Sequence, residues 1–595
     1  AMFVRRFPAL KARLDDIYNK FVIPKLILPS MRGLQFAGAP IEKNNMRMFN
    51  CAFVAIDDRR VFAEIMFLLM SGCGVGFSVQ WHHIARLPQV SIQPSRGNYK
   101  HIIEDSMEGW ADAVAAIMDY YFDLNDYPKF DYRLIRPKGS ALSSGGKAPG
   151  HVPLKNCLEA LDRLLNNYVT SKVGPFGEKT NLDAITVHDA VCHISVAVLS
   201  GGIRRSALLS LFTLEDAAMR RCKHGEWWKD NPQRGRSNNS AALYHGKVTK
   251  EQWLSLWKDI VDSHCGEPGA YWTNDEEMGC NPCCEIGLKS LQVCNLCEVN
   301  SANITSQEDF EARCAAATVI GTLQASYNNF TYVREDWRKV TESEYLIGVG
   351  MTGIATKTVE HLNLKAATEV IRRVNADVAN EIGIGPAARL TCVKPAGTTS
   401  TVLECSSGIH PWHSQFYWRR IQLTKQEALY KYLAKNFPEA VEDSVYDSSG
   451  DQAVARVAIK APNDAILRTD ETLQQFLDRV RRFNVDWVRT GHNSGNNANN
   501  VSATITFDES KEADWLGEWL WQNRETYHGL SVLPRDLGTY TQTPFEEIDE
   551  STYEKARTYL QGFDITQVSE EEDNTTLSDQ AACAGGMCEL LSSKS

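Results

Sequence analysis

Five of the 16 cysteines of this 595-residue chain lie within residues 280–297. A carboxylate, Glu285, stands two residues after one of them, Cys283. Thiols so concentrated can bind a metal ion, form disulfides or take part in redox chemistry. Buried cysteines without such a role are common one at a time, but five in one short segment are hard to explain in that way.

A zinc site is the first interpretation of this segment. Cys280 and Cys283 form one CxxC pair and Cys294 and Cys297 a second, with ten residues between the pairs. Four thiolates around one zinc ion form a known structural centre, and the chain would then be a non-catalytic zinc-binding protein. A proline inside the first pair and the unused Cys284 beside it speak against this interpretation.

Redox or radical chemistry is the second interpretation. Two thiols deliver two electrons when they close to a disulfide, which must afterwards be reduced. The chain ends in an acidic, polar stretch that carries Cys583 and Cys588 among small residues. A mobile dithiol of this kind can reduce a buried disulfide by exchange. The residues alone leave both interpretations open, and the redox interpretation is favoured because it also uses the carboxylate and the tail.

Two further segments have the composition of anion-binding loops. Residues 390–394 are predicted as a buried strand that runs into residues 395–401, Pro-Ala-Gly-Thr-Thr-Ser-Thr. Small residues and hydroxyls there can direct backbone N–H and O–H groups at a phosphate. Residues 201–206, Gly-Gly-Ile-Arg-Arg-Ser, place two arginines on a flexible hinge, which suits contact with a nucleotide, although a solvated loop explains them equally well.

Strands and helices alternate around these segments, which predicts an α/β protein. A buried strand over residues 49–56 carries Cys51, and the glycine-rich segments 71–77 and 347–353 are expected to be tight turns. Apolar spacing predicts the other elements. Helices are expected over 61–70, 105–123, 154–168, 182–199, 248–264 and 307–327, and strands over 207–212, 456–459 and 502–507.

Composition limits the class of protein. A hydrophobic content of 43% and a charged content of 23% are typical of a soluble globular protein. The net charge of −11 without a long basic stretch argues against binding to nucleic acid or a membrane surface. The most apolar run, residues 61–70, is too short to cross a bilayer, and no signal-peptide pattern is present. The cysteines are therefore expected to be thiols in the cytoplasm, or in the host cytoplasm for a viral protein.

Several of these segments, in this order, resemble the ribonucleotide reductases. Asn281-Pro-Cys-Cys-Glu285, with a cysteine eleven residues after Cys283, resembles the finger loop of that family, and residues 50–56 resemble its first-strand cysteine segment. Residues 201–207 resemble the loop that relays effector identity, and residues 348–353 and 395–401 resemble two family turns. The tail, Cys-Ala-Gly-Gly-x-Cys, is similar to that of the adenosylcobalamin-dependent, class II enzymes. Class I enzymes carry a Tyr-Tyr pair near the C-terminus, whereas the pair here is at 120–121.

The resemblance implies a fold and a division into domains. The expected fold is a ten-stranded α/β barrel of two antiparallel five-stranded halves with a central finger loop. Residues 1–50 would be an incomplete N-terminal helical segment, residues 51–565 the catalytic barrel with an insertion at about 80–130, and residues 566–595 a flexible redox-active tail. In the monomeric class II enzymes such an insertion replaces the helices of a dimer partner, which implies a monomer.

The resemblance also implies catalytic roles. Cys283 would carry a thiyl radical that abstracts the 3′-hydrogen of the substrate, and Glu285 would act as general base at the 3′-hydroxyl. Asn281 would bind the ribose hydroxyls. Cys51 and Cys294 would reduce the 2′ position and end as a disulfide.

The remaining implied roles concern binding and turnover. The tail thiols Cys583 and Cys588 would reduce the active-site disulfide, and thioredoxin would regenerate the tail. Adenosylcobalamin would be the cofactor and a ribonucleoside triphosphate the substrate, with a diphosphate, as in dimeric class II enzymes, as the alternative. No metal ligand is assigned. The implied substrate-phosphate site comprises Ala396, Gly397, Thr398, Thr399, Ser400 and Thr401, and the loop for a deoxynucleotide effector comprises Gly201, Gly202, Ile203, Arg204, Arg205 and Ser206.

Overall fold

The computed structural model describes residues 1–568 except 93–96, 123–124, 143–147, 174–177, 199–205, 446–451 and 536–541. Strands and helices alternate through this range, which confirms the α/β prediction. The strands are β1 (Ile27–Leu28), β2 (Cys51–Ala55), β3 (Gly74–Ser78), β4 (Asn98–Ile102), β5 (Tyr127–Asp131), β6 (Leu208–Thr213), β7 (Ser237–Tyr244), β8 (Gly269–Thr273), β9 (Met278–Cys280), β10 (Gly287–Lys289), β11 (Gln292–Cys294), β12 (Leu296–Asn300), β13 (Gly348–Thr352), β14 (Phe416–Thr424), β15 (Val441–Asp443), β16 (Gln452–Lys460), β17 (Thr504–Phe507), β18 (Gly529–Pro534) and β19 (Phe545–Glu547).

The α-helices lie between these strands and at the N-terminus. They are α1 (Met2–Arg6), α2 (Lys11–Ile17), α3 (Met31–Phe36), α4 (Ala39–Lys43), α5 (Val61–Ser71), α6 (Trp81–Ile84), α7 (Met107–Tyr121), α8 (Val152–Val173), α9 (Ala184–Val198), α10 (Ala217–Arg220), α11 (Trp227–Asp230), α12 (Lys250–Asp262), α13 (Gln307–Ala325), α14 (Glu335–Glu342), α15 (Lys357–Glu360), α16 (Leu364–Ile382), α17 (Gly397–Val402), α18 (Ala428–Asn436), α19 (Leu473–Phe483), α20 (Glu509–Gln522) and α21 (Glu550–Ala556). In the described part of the chain, no helix combines the length and apolar character that crossing a membrane requires.

A large sheet dominates the structure, with the strand order β11-β2-β3-β6-β7-β8-β18-β17. Its central strands β2, β3, β6, β7 and β8 are all parallel. Parallel strands need crossover connections, and helices such as α5 and α12 supply them. At the two ends the direction changes, because β11 is antiparallel to β2 and β18 is antiparallel to β8.

Side chains alternate between the two faces of this sheet, as the two-residue period of a strand requires. In β2, Ala52 and Val54 pack into the large core shared with the helices. Cys51 and Phe53 point to the opposite face and join a smaller buried cluster that includes Cys294 and Ile286. The sheet therefore has helices on one face and the cysteine-rich segment on the other.

A second sheet completes the surroundings of that segment. In it β12 lies between β1, which is antiparallel to it, and β13, which is parallel to it. Isolated parallel bridges join Val349 to Thr391 and Val393 to Val501. These bridges bring residues 390–393, a segment predicted as a buried strand and buried in the structure, between β13 and the chain that enters β17.

Two smaller sheets lie outside this arrangement. β4 and β5 pair in parallel within residues 98–131, beside α7. The apolar stripe of α7 packs against α5. Toward the C-terminus, β15, β16, β14 and β19 form an antiparallel sheet next to α18 and α21.

The prediction of glycine-rich turns is wrong for residues 347–353 and partly wrong for residues 71–77. Gly348 and Gly350 belong to β13, a buried parallel strand. A Cβ atom on Gly348 would lie 2.4 Å from Leu296 Cδ2, so glycine is needed there for close packing between strands. In the other segment only Gly72 forms a turn, with a positive φ at the end of α5, while Gly76 lies within β3.

Candidate active site

The predicted finger loop is the tip of a β-hairpin formed by β9 and β10, in which Cys280 pairs with Gly287. At the tip, the Asn281 N–H donates to the Ile286 carbonyl (3.2 Å), and the Ile286 N–H donates to Asn281 Oδ1 (2.9 Å). Cys284 takes a left-handed conformation, with φ of 62°. These contacts hold residues 281–286 in a closed turn whose side chains are presented to the surrounding strands.

Two glycines, which have no side chain, allow this hairpin to lie directly on the large sheet. A Cβ atom on Gly76 of β3 would be 1.9 Å from the Cys280 carbonyl oxygen, and one on Gly279 would be 2.2 Å from the Phe53 ring. Neither contact is possible for a larger residue. Gly76, which the sequence placed in a predicted turn, and Gly279 therefore bring the hairpin close to β2 and β3.

Cys51 and Cys294 face each other across the antiparallel pair formed by β2 and β11, where they occupy the same register position. Both thiols are free and buried. A hydrogen bond between them lowers the pKa of Cys51 and raises the pKa of Cys294 well above its usual range. The predicted dithiol is thus assembled from residues far apart in the chain.

The hairpin tip places three predicted residues beside this dithiol. Asn281 is fully buried, and its Nδ2 donates to Cys51 Sγ at 3.5 Å. Its Oδ1 accepts one hydrogen bond and keeps a second lone pair for a ligand. Glu285 is also fully buried, whereas Cys283 is partly exposed, so Cys283 is the member of the group that an outside molecule can reach.

Lys394 is a charged residue of this site that the sequence did not single out. Its Nζ is 3.9 Å from Glu285 Oε1. Burial alone would lower the pKa of Lys394, but the negative groups Glu285, Cys283 and Cys51 raise it above its ordinary value. The signal available in the sequence was a lysine at the end of the predicted strand 390–394, directly before the predicted phosphate loop. The site therefore holds a permanent cation next to its carboxylate.

Glu298 is a second residue near this site to which the sequence assigned no role. It lies on β12 opposite Gly350, where a Cβ atom would be only 2.6 Å from the Glu298 carboxylate. Within the described residues, neither oxygen of Glu298 or Glu285 has a hydrogen-bond partner. Burial raises the pKa of Glu298 to about 8, although Lys394 acts in the opposite direction. An acid in an otherwise apolar strand was the available signal.

Replacing Glu298 by Gln is expected to flatten the pH dependence of stability. Between the ordinary pKa of 4.5 and the folded value of about 8, the native state keeps a proton that the unfolded chain loses. Native stability therefore falls as pH rises through this window, by up to ~1.4 kcal/mol per pH unit for one group. Thermal unfolding between pH 5 and pH 8 should show a smaller decline for Glu298→Gln. The exposed acid Glu360 is the control, and equal declines for all three proteins would contradict the prediction.

The predicted phosphate loop begins a short helix, α17, with Ala396 at its N-cap. Thr398 is exposed, whereas Thr399 and Ser400 are buried. The Ser400 hydroxyl donates to the Gly397 carbonyl at 3.0 Å, and the Thr401 hydroxyl donates to the same oxygen at 2.9 Å. These two hydroxyls are thus engaged within the helix, in contrast to the expectation that Ser400 is free to donate to phosphate.

Two predicted groups fall wholly or mainly outside the described residues. The tail thiols Cys583 and Cys588 lie outside them, and residues 201–205 of the predicted effector loop also lie outside them. Ser206, the last residue of that loop, is buried, and its hydroxyl is hydrogen-bonded to the Ser195 hydroxyl of α9.

The four cysteines of the zinc interpretation do not come together. Cys294 of β11 pairs with Cys51. Cys297 lies on a different strand, β12, and its thiol donates to the Ala317 carbonyl of α13 at 3.2 Å. Cys280 is hydrogen-bonded to Cys284, and this bond adds to burial in raising the pKa of Cys280. Among the described residues, no group of thiols lies close enough to hold a metal ion.

Comparison with known proteins agrees with this geometry. The chain is 26% identical to the adenosylcobalamin-dependent ribonucleoside-triphosphate reductase of Euglena gracilis, over 97% of this chain and 80% of the relative. It is also 26% identical to the enzyme of that name from Lactobacillus leichmannii, over 94% of this chain and 87% of the relative. No protein-family model matches the chain.

The fold comparison points the same way. A solved B-12-dependent, class II ribonucleotide reductase matches with a TM-score of 0.73, at 22% identity, over 90% of this chain and 85% of the other. The resemblance seen in the sequence is thereby confirmed. The chain has the fold of a class II ribonucleotide reductase and is similar over nearly its full length to adenosylcobalamin-dependent ribonucleoside-triphosphate reductases.

Proposed function

We propose that this chain reduces ribonucleoside triphosphates to 2′-deoxyribonucleotides by a thiyl-radical mechanism that depends on adenosylcobalamin. The observation that carries the proposal is the buried pairing of Cys51 with Cys294 beside the hairpin tip that presents Cys283, Asn281 and Glu285. The names of the similar proteins support the substrate and the cofactor.

The exposure of the thiols is consistent with such a cofactor. Cys283 is partly exposed, while Cys51 and Cys294 are buried, so a group that binds outside the hairpin can reach Cys283 without reaching the reducing pair. Adenosylcobalamin, when bound, supplies the radical that removes the hydrogen atom of the Cys283 thiol.

Glu285 is placed to manage the proton of the substrate 3′-hydroxyl. Once Cys283 has taken the 3′-hydrogen, loss of the hydroxyl proton favours departure of the neighbouring 2′-hydroxyl as water. Both oxygens of Glu285 lack a hydrogen-bond partner among the described residues, so they can accept one from substrate. Lys394 Nζ, 3.9 Å from Oε1, places a positive charge beside this carboxylate.

The Cys51–Cys294 pair supplies the two electrons of the reduction. The two thiols give up two hydrogens, one that replaces the hydroxyl at C2′ and one that leaves with the hydroxyl as water. A sulfur–sulfur bond forms, and Cys283 returns its hydrogen to C3′. The register of β2 and β11 supports this step because it places the two cysteines directly opposite each other. Cys583 and Cys588 of the tail then reduce the disulfide by exchange, and thioredoxin reduces the tail.

Residues 396–401 are proposed to hold the substrate phosphates. Support comes from the position of this segment, which directly follows Lys394 and begins a helix whose first N–H groups can bind an anion. Since the Ser400 and Thr401 hydroxyls donate within the helix, the backbone and the hydroxyls of Thr398 and Thr399 are the better candidates. Residues 201–206 are proposed to relay the identity of a deoxynucleotide effector.

We further infer that the two main sheets close into a ten-stranded barrel. One half consists of β2, β3, β6, β7 and β8, and the other of β18, β17, residues 391–393, β13 and β12. The bridges from Val349 to Thr391 and from Val393 to Val501 support this closure. We also propose that the domains divide at residues 50 and 565, with an insertion at 80–130. The chain is proposed to be a monomer, and its free cysteines support a cytoplasmic location.

A reductase assay tests the proposed function directly. Purified protein is incubated with ribonucleoside di- or triphosphates and a dithiol reductant, with and without adenosylcobalamin, and deoxynucleotide products are measured. Product from triphosphates only with the cofactor is expected. Product without it would require another class of reductase, and a clear preference for diphosphates would favour the dimeric class II type instead.

Replacing Glu285 by Gln is expected to lower kcat by about 10²- to 10⁴-fold, the usual contribution of a general base. Gln keeps the size of the side chain but cannot take a proton, so the KM for the triphosphate should change little. The measurement is steady-state reduction under saturating cofactor. A kcat close to that of the native enzyme would remove Glu285 from the proposed proton transfer.

A further inference from the structure

His82, His83 and Glu277 form a cluster of potential metal ligands at the base of the finger hairpin. The two histidines lie on α6, which follows β3, and Glu277 directly precedes β9. Each residue offers a ligand atom within 4.8 Å of the others, and His83 Nε2 is 3.3 Å from Glu277 Oε2. Ligand atoms of a tetrahedral zinc ion, with bonds near 2.0–2.1 Å, are roughly 3.4 Å apart. The separation is therefore that of two ligands of one ion.

The surroundings of His83 favour a metal ligand. Its side chain is completely buried, and Glu277 Oε2, at 3.3 Å, is the partner of its Nε2. Its other ring nitrogen, Nδ1, is 2.8 Å from Ser78 Oγ. A proton donated from Nδ1 to Ser78 leaves a lone pair on Nε2, aimed at Glu277. Histidine ligands of metals commonly have their second nitrogen held in this way.

His82 and Glu277 complete the donor set. His82 Nε2 is 3.3 Å from the Glu276 carbonyl oxygen, and a hydrogen bond there leaves Nδ1 as an acceptor. The His82 and His83 ring centres are 4.0 Å apart. The Glu277 carboxylate is paired with the cationic side chain of Arg86, whose Nη1 donates to Oε2 at 3.1 Å. Arg86 can stay on Oε1 while Oε2 turns to an ion.

We propose that His82, His83 and Glu277 bind one divalent transition-metal ion, for which zinc is the best match. Two imidazoles and a carboxylate are an established zinc donor set, with a water molecule as fourth ligand. The ion joins α6 to the strand that enters the hairpin. Four residue steps along β9 separate Glu277 from Asn281, about 13 Å at 3.3 Å per residue, so the ion braces the hairpin and does not contact substrate.

Cobalt(II) binding tests this proposal independently of reductase activity. Co²⁺ is titrated into the metal-free, reduced full chain, and visible d–d absorption and bound metal per chain are measured. Nitrogen and oxygen ligands give d–d bands, whereas binding to thiols adds a near-ultraviolet charge-transfer band that reveals adventitious sites. The variants are His82→Ala, on a half-exposed residue, and Glu277→Gln, on an exposed one. Glu276→Gln is the matched control because its side chain pairs with Lys247.

The expected result is one Co²⁺ per chain without the thiol band in the native protein and Glu276→Gln. In His82→Ala and Glu277→Gln, the affinity is expected to fall at least tenfold. Zn²⁺ should displace the Co²⁺ and raise the Tm of the native protein but not of these two variants. Absence of d–d bands in the native protein, or equal affinity in all four proteins, would overturn the proposal.

Discussion

Replacing Cys283 by Ser is expected to abolish deoxynucleotide formation and, with it, the paramagnetic signal that depends on a thiyl radical at this position. An O–H bond is much stronger than an S–H bond, so serine cannot give up its hydrogen atom under conditions in which cysteine can. The residue lies at the hairpin tip, partly exposed, next to Glu285 and Lys394. Product analysis and electron paramagnetic resonance with adenosylcobalamin present measure the two losses separately.

Cys297→Ser is the matched control for this variant, since it makes the same substitution in the same cysteine-rich segment. Cys297 packs against α13 and already donates to the Ala317 carbonyl, which a hydroxyl can also do. We expect Cys297→Ser to keep both product formation and the paramagnetic signal. A fully active Cys283→Ser enzyme would exclude the radical mechanism, whatever the control does.

Replacing Cys51 or Cys294 by Ser is expected to block net reduction while leaving the paramagnetic signal in place. The pair faces each other across β2 and β11, so removal of either thiol prevents the disulfide that delivers the two electrons. Radical formation at Cys283 does not need this pair. The measurements are deoxynucleotide yield per chain, including a single turnover of pre-reduced enzyme, and the paramagnetic signal.

A buried cysteine outside the pair is the control for these variants. Cys314 of α13 is fully buried in the helix-packed core, and burial raises its pKa well above the ordinary range. Cys314→Ser should lower stability but keep turnover. Multiple turnovers with thioredoxin in Cys51→Ser or Cys294→Ser would show that another thiol supplies the electrons, and Cys280 with Cys284 would be the next pair to test.

The local sequence contained most of the chemistry at the hairpin tip. Cys283 and Glu285 stand two residues apart, so any closed turn brings them to one place, and the structure confirms a hairpin there. Apolar spacing likewise predicted α5, α7 and α13 to within a few residues. The glycine-rich segments were misread because glycine permits both a turn and close contact between strands, and only the neighbours of Gly348 or Gly76 distinguish the two.

What the sequence by itself determined is therefore the α/β class, the finger-loop residues and, through resemblance, the candidate dithiol and tail. The tertiary structure decided which groups share one site. Cys51 and Cys294 meet because β11 returns to pair with β2 in one register, and a shift of one residue would turn one thiol to the other face. Lys394 and Glu298 join the site for the same reason: they come from separate segments of the chain, and only the packing of those segments buries Glu298 and brings Lys394 within 3.9 Å of Glu285.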